Sequence, residues 1–132
     1  GEIRRDILLQ NPFFHSSVVF TRSALSTTGL YDIPAPYDES YRYCEDYDLW
    51  LRLGLVGTMH NLAHPAIVYT QASRGLSWAN RGRQRRLRVR LVLKYGAYYP
   101  GRWRALALIL REVLRDAKAV LLSLSGGRRG AS

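Results

Sequence analysis

Only two short stretches of this chain have the composition of β-strands, and two strands cannot close a sheet. They are Ser16-Ser17-Val18-Val19-Phe20, which follows the breaker pair Asn11-Pro12, and Ala66-Ile67-Val68-Tyr69, which follows Asn61-Leu62-Ala63-His64-Pro65. Between them the pattern predicts one helical turn at Arg22 to Leu25, then a loop through Thr28-Gly29-Leu30-Tyr31-Asp32 and Ile33-Pro34-Ala35-Pro36. Two prolines separated by one residue exclude a regular element there. From about Glu45 to Leu53 the spacing turns helical, with Leu49 and Leu53 four apart and Gly54 and Gly57 as stop signals. Strand, loop, helix and strand in that order predict half of an α/β layer, whose remaining strands are expected outside this chain.

Beyond Trp78 the chain changes character. Residues 1–78 hold six arginines against eight acids, whereas residues 79–132 hold fourteen Arg or Lys against two acids, so the whole net charge of +10 sits in the second segment. We therefore divide the chain into a body, 1–78, and a basic appendix, 79–132. The appendix predicts a helix over about Asn80 to Tyr95, a turn at Tyr99-Pro100-Gly101, and a second helix over about Arg102 to Leu124. In the second helix Leu106, Ile109, Leu110, Val113, Ala117, Val120, Leu121 and Leu124 form one apolar face, with Arg104, Arg111, Arg115 and Lys118 opposite. The glycine- and arginine-rich stretch Gly126-Gly127-Arg128-Arg129-Gly130 reads as a disordered tail.

A basic amphipathic helix serves equally for packing against protein and for lying on a membrane, and the excess of cations favours an anionic membrane surface, contacted through residues 79–124. The longest apolar run, Ala105 to Leu110, is far shorter than the roughly 20 residues a span needs. Nucleic acid is the weaker expectation, because no aromatic residue for base stacking lies between Asn80 and Lys94. The single cysteine, Cys44, excludes an internal disulfide framework, predicts a reducing compartment and reads as a packing residue beside acids that disfavour its thiolate.

The chemistry-bearing cluster is Glu45-Asp46-Tyr47-Asp48-Leu49-Trp50-Leu51-Arg52. On a helix, Asp46 and Trp50 share one face, while Asp48 and Arg52 are four apart on another and can pair structurally. One carboxylate then stands beside an aromatic platform, which suits a general base working on a ring-shaped substrate such as a sugar. On spacing alone, acids favoured by the dipole at a solvated helix N-terminus explain the cluster better. His15 on its own reads as a structural histidine. His60 and His64 have i, i+4 spacing, but His64-Pro65 prevents the helix that a zinc pair would need.

The motifs reverse the reading of the cluster when they are taken together. Asn11-Pro12, then His15-Ser16-Ser17-Val18-Val19-Phe20-Thr21-Arg22, Gly29-Leu30-Tyr31-Asp32, Glu45 to Arg52, Asn61-Leu62 and Val68-Tyr69 occur in an order and spacing that resemble the C-terminal half of family 2 glycosyltransferases, over residues 8 to 78. The resemblance implies a partial GT-A fold, an α/β Rossmann-like nucleotide-diphospho-sugar transferase architecture. It also implies an inverting, hexosyltransferase-type transfer from a nucleotide-diphospho-sugar donor to a hydroxyl of a cell-envelope or lipid-linked glycan. In that family the acid at Asp46 deprotonates the acceptor. Glu45 would orient the loop or the acceptor, Trp50 would wall the acceptor pocket, and His15 and Tyr47 would contact the acceptor.

The complete enzyme would use a divalent cation, Mg or Mn. This chain lacks the family's Asp-x-Asp donor motif, because the only such spacing, Asp46 to Asp48, lies in the acceptor motif. Where relatives often carry Arg and then a His that completes the metal site, this chain has Thr70-Gln71-Ala72-Ser73. No metal ligand is therefore assigned, and the chain is expected to be a fragment, inactive alone, that works in the cytoplasm, peripheral to the inner face of the membrane. The competing expectation is a non-catalytic binding module whose basic helices contact membrane, nucleic acid or a protein partner while the acids only cap a helix.

Overall fold

The computed structural model describes residues 2–29, 36–65, 67–68 and 80–126, and the elements among them are helical. They are α1 (Glu2–Asp6), a 3-10 turn at His15–Ser17, α2 (Arg22–Thr27), a second 3-10 turn at Glu39–Tyr41, α3 (Glu45–Val56), α4 (Arg81–Tyr95) and α5 (Arg102–Gly126).

No strand occurs among the described residues, which overturns the α/β, Rossmann-like expectation. The reason lies in pairing. Ser16 and Ser17 close a 3-10 turn, with the Ser17 hydroxyl donating to the Phe14 carbonyl at 2.8 Å. Val18 leaves that turn with extended dihedrals, but no strand among the described residues offers a ladder, and Val19 is left 94% exposed. In the second stretch Ile67 and Val68 pair with no strand among the described residues, with Val68 98% exposed, while Ala66 and Tyr69 lie outside the described residues. Local β-propensity without a partner strand gives extended chain, not sheet.

Helix-on-helix packing holds the molecule together instead. α3 is the central element, buried through Tyr47, Asp48, Leu49, Trp50, Leu51, Leu53 and Gly54. Ile7 and Leu8 cover it from the N-terminal side, and Leu87, Leu91, Val92 and Tyr95 of α4 join the same core with Tyr99, Ala105 and Ile109. The spacing of Leu87, Leu91 and Tyr95 puts them on one stripe of α4, which is why a helix so rich in arginine still packs. Body and appendix thus share one core, and the junction at residues 78 and 79 lies outside the described residues. The tail from Gly127 onward also lies outside them, and the backbone of Gly126 belongs to α5.

α4 and α5 form an antiparallel hairpin through the turn ending at Gly101, whose φ of 90° is a left-handed conformation that glycine adopts freely. Ion pairs tie the two helices: Arg85 to Asp116 at 2.5 Å and to Glu112 at 3.8 Å, and Arg88 to Glu112 at 3.2 Å. The Tyr99 hydroxyl locks this hairpin to α3 by donating to the Leu51 carbonyl at 2.7 Å. Close approach there requires Gly54, because an added methyl would overlap the Tyr99 hydroxyl and the Met59 side chain. Gly54→Ala is accordingly expected to cost about 1–3 kcal/mol in urea unfolding, although alanine is the better helix former.

Burial of phenols sets the response to alkali. Burial pushes Tyr99 up to about 12, and burial with the nearby Asp48 charge does the same to Tyr95. Burial also raises Tyr47, whose hydroxyl donates to the Ile7 carbonyl. Each phenol holds its proton more tightly in the folded chain than at its ordinary 10.0, so its stabilising contribution is complete below that pH and is lost as pH rises through about 12. Stability is therefore expected to fall with alkali across this window. Tyrosinate absorbance of the buried rings should rise together with loss of helical circular dichroism, whereas ionisation well before unfolding would show these phenols to be accessible.

Candidate functional site

The loop that delivers α3 is built around three tyrosines, Tyr37, Tyr41 and Tyr43. Asp38 caps its 3-10 turn by accepting from the Ser40 N–H at 3.0 Å, and hydrogen bonding with the Ser40 side chain, helped by this N–H and opposed by desolvation, holds the Asp38 carboxyl below its ordinary range. Tyr43 then adopts a φ of 84°, a left-handed conformation that costs a non-glycine residue about 1–2 kcal/mol. This reversal aims the Tyr43 N–H at the Glu45 carboxylate and its carbonyl at Gln84 Nε2, which donates at 3.1 Å. The guanidinium groups of Arg42 and Arg83 sit 5.5 and 5.3 Å from the Tyr43 ring centroid.

Asp46 opens α3 beside this loop. Its Oδ1 accepts the Tyr47 N–H at 2.7 Å, and its Oδ2 lies 3.4 Å from Asn11 Nδ2. Asn11 is itself held in a turn, its side-chain oxygen accepting from the Phe13 N–H at 3.1 Å. Asp46 lines a cleft of about 560 Å³ with Asn11, His15, Tyr37, Glu45, Gln84 and Arg88. The Tyr37 hydroxyl is raised above its ordinary pKa by burial and then by the charges of Asp46 and Glu45, so at neutral pH it is a donor. Arg88 is fixed at the cleft wall, Nη2 donating to the Leu9 carbonyl at 2.9 Å. Cys44 is buried, and desolvation followed by the neighbouring Asp46 and Glu45 charges pushes its thiol up to about 11, which keeps it protonated.

The structure brings Asp46, Glu45, His15 and Tyr47 to this cleft but separates their roles. Glu45 accepts a loop N–H, as an orienting residue would, whereas the Tyr47 hydroxyl is occupied by Ile7 and faces the core. Trp50 is only 2% exposed and lines a second, larger cleft of about 900 Å³ with Phe13, Phe20, Leu53 and Met59. Edge and tilted contacts with Phe13 and Phe20, at centroid distances of 6.0 and 6.1 Å, embed its ring. His15 stands between the clefts, its ring 5.9 Å from Tyr37 and 6.0 Å from Trp50.

Asp48 and Arg52 form the expected i, i+4 pair, with Nε 2.8 Å from Oδ2, close enough for an ion pair though out of line for a hydrogen bond. Arg52 also donates to the Pro36 carbonyl at 2.8 Å, anchoring the start of the tyrosine loop. Asp48 is fully buried, and its Oδ1 accepts from Lys94 Nζ at 3.1 Å and from the Tyr95 hydroxyl at 2.9 Å. Burial alone would lower the Lys94 pKa, but the hydrogen bonds to Asp48 and Tyr95 and the Asp48 charge outweigh it, and the net shift is upward.

The carboxylates of Asp46 and Asp48 therefore serve different places, Asp46 at the cleft and Asp48 in the buried network with Arg52, Lys94 and Tyr95. No cluster of three His, Cys, Asp or Glu suited to a metal ion occurs among the described residues. Sequence reasoning missed Tyr37, Gln84 and Arg88 as cleft residues, although the run of loop tyrosines ahead of the acids was a visible signal. Comparison with family models, curated proteins and solved structures returns no match for this chain.

Proposed function

We propose that the Asp46 cleft is the acceptor site of an inverting sugar transfer from a nucleotide-diphospho-sugar. The observation that carries this reading is a carboxylate at the opening of a helix, lining a cleft with the rings of His15, Tyr37 and Tyr43 and the amides of Asn11 and Gln84. Rings stack on the apolar faces of a sugar while amides and phenols bind its hydroxyls, so this lining matches a saccharide.

In the reaction, Asp46 takes the proton of the acceptor hydroxyl, and the oxygen forms a bond to the anomeric carbon from the side opposite the leaving group. The bond to the diphosphate breaks, the nucleoside diphosphate leaves with its electron pair, and the configuration inverts. Glu45 holds the Tyr43 loop, Asn11 steadies Asp46, and Arg88, tied to the Leu9 carbonyl and to Glu112, braces the cleft wall. The divalent cation that the resemblance implies has no ligand set among the described residues, so no step here runs through it. The acceptor is a lipid-linked or envelope glycan, met at the cytoplasmic face of the membrane through the basic helices. No helix among the described residues is long and apolar enough to cross a bilayer.

Titration of the chain with simple hexosides, followed by NMR, tests the site. Shifts confined to His15, Tyr37, Tyr43 and Gln84 are expected. Shifts elsewhere, or none at saturating sugar, would remove the acceptor assignment.

A further inference from the structure

The two acids of residues 79–132, Glu112 and Asp116, both turn toward α4, where Arg85 and Arg88 take them up. The outer side of α5 is consequently left with cations alone. On that side Trp103, Leu110, Leu114 and Leu121 succeed one another at intervals of seven, four and seven residues and are 75, 57, 60 and 67% exposed. These intervals keep them in line along about 27 Å of helix. Arg104, Arg111 and Lys118, each seven residues from the next and all exposed, run along one edge of the stripe, and Val113 and Val120 run along the other. Ala105 and Ile109, on the opposite side, are the residues that α5 buries in the core.

We propose that this stripe is the docking surface for an anionic lipid bilayer. α5 lies in the interfacial plane with its leucines among the acyl chains, Trp103 at headgroup level and the three cations on lipid phosphates. This deepens the membrane part of the proposed function and rests on that part, not on the sugar chemistry. Charge favours lipid over a second copy of the chain. Antiparallel pairing would set the row Arg104, Arg111 and Lys118 against itself, and parallel pairing would set it against valines, with no acid to answer it. A bilayer offers phosphates in any register.

Co-sedimentation of the full chain with vesicles of phosphatidylcholine, with and without phosphatidylserine, is the test. Binding is expected only to the anionic vesicles, weakening with added salt and shifting the Trp fluorescence to the blue. Leu110→Glu with Leu114→Glu should weaken binding more than about tenfold, and Arg104, Arg111 and Lys118 changed to Gln should each cost about fivefold. Circular dichroism verifies that these exposed positions leave the helices intact. Equal binding to neutral vesicles, no binding, or an unchanged leucine variant would overturn the proposal. So would dimers in lipid-free buffer that dissociate in the same variant. None of these variants touches the Asp46 cleft, so failure here leaves the acceptor reading standing.

Discussion

Asp48→Ala is expected to destabilise the protein by about 3 kcal/mol in urea unfolding, the largest loss of any single substitution considered. The residue is fully buried and gathers Arg52, Lys94 and Tyr95 from two helices. Removing the carboxylate strands two cations and a phenol against an apolar core, which typically costs about 3–5 kcal/mol when a buried pair is broken. The low end applies, because the Lys94 side chain is about two fifths open to water and can turn outward. Against a whole-domain stability of about 5–15 kcal/mol, such a loss shifts the midpoint far. A change under about 1 kcal/mol would reduce the network to the level of an exposed ion pair.

The same residue shows how much could be read beforehand. The spacing of Asp48 and Arg52 was enough to foresee their pairing, because i, i+4 contacts on a helix are local. Lys94 and Tyr95 are more than forty residues away in sequence, and nothing local announces them. A partial signal existed, since Tyr95 continues the packing stripe of Leu87 and Leu91 and a phenol on such a stripe needs a polar partner. The helices at residues 45, 81 and 102 were legible from apolar periodicity and turn residues. Neither strand forms among the described residues, since Val18 to Phe20 and Ile67 to Val68 favour extended backbone by composition, but pairing is decided by segments far off in the chain. Treating residues 79–132 as an appendix hid the contribution of Gln84 and Arg88 to the cleft, because net charge reports the solvent side of a helix and says little about its packed side.

Asp46 carries the functional account, and its replacement is the second large effect. Asp46→Asn keeps the shape but has one oxygen for the two N–H groups that the carboxylate accepts, from Tyr47 and Asn11, so it removes the proton acceptor and its charge together with one of these hydrogen bonds. A positioned general base contributes about 10²- to 10⁴-fold. Glu45→Gln is the matched control, since glutamine still offers an oxygen to the Tyr43 N–H and the loop keeps its course.

The decisive measurement is the rate of sugar transfer by the protein that carries both this cleft and a donor site, wild type against Asp46→Asn, with helical circular dichroism verified for each. The account predicts a fall of about 10²- to 10⁴-fold for Asp46→Asn and less than about tenfold for Glu45→Gln. An Asp46→Asn rate equal to wild type would contradict it.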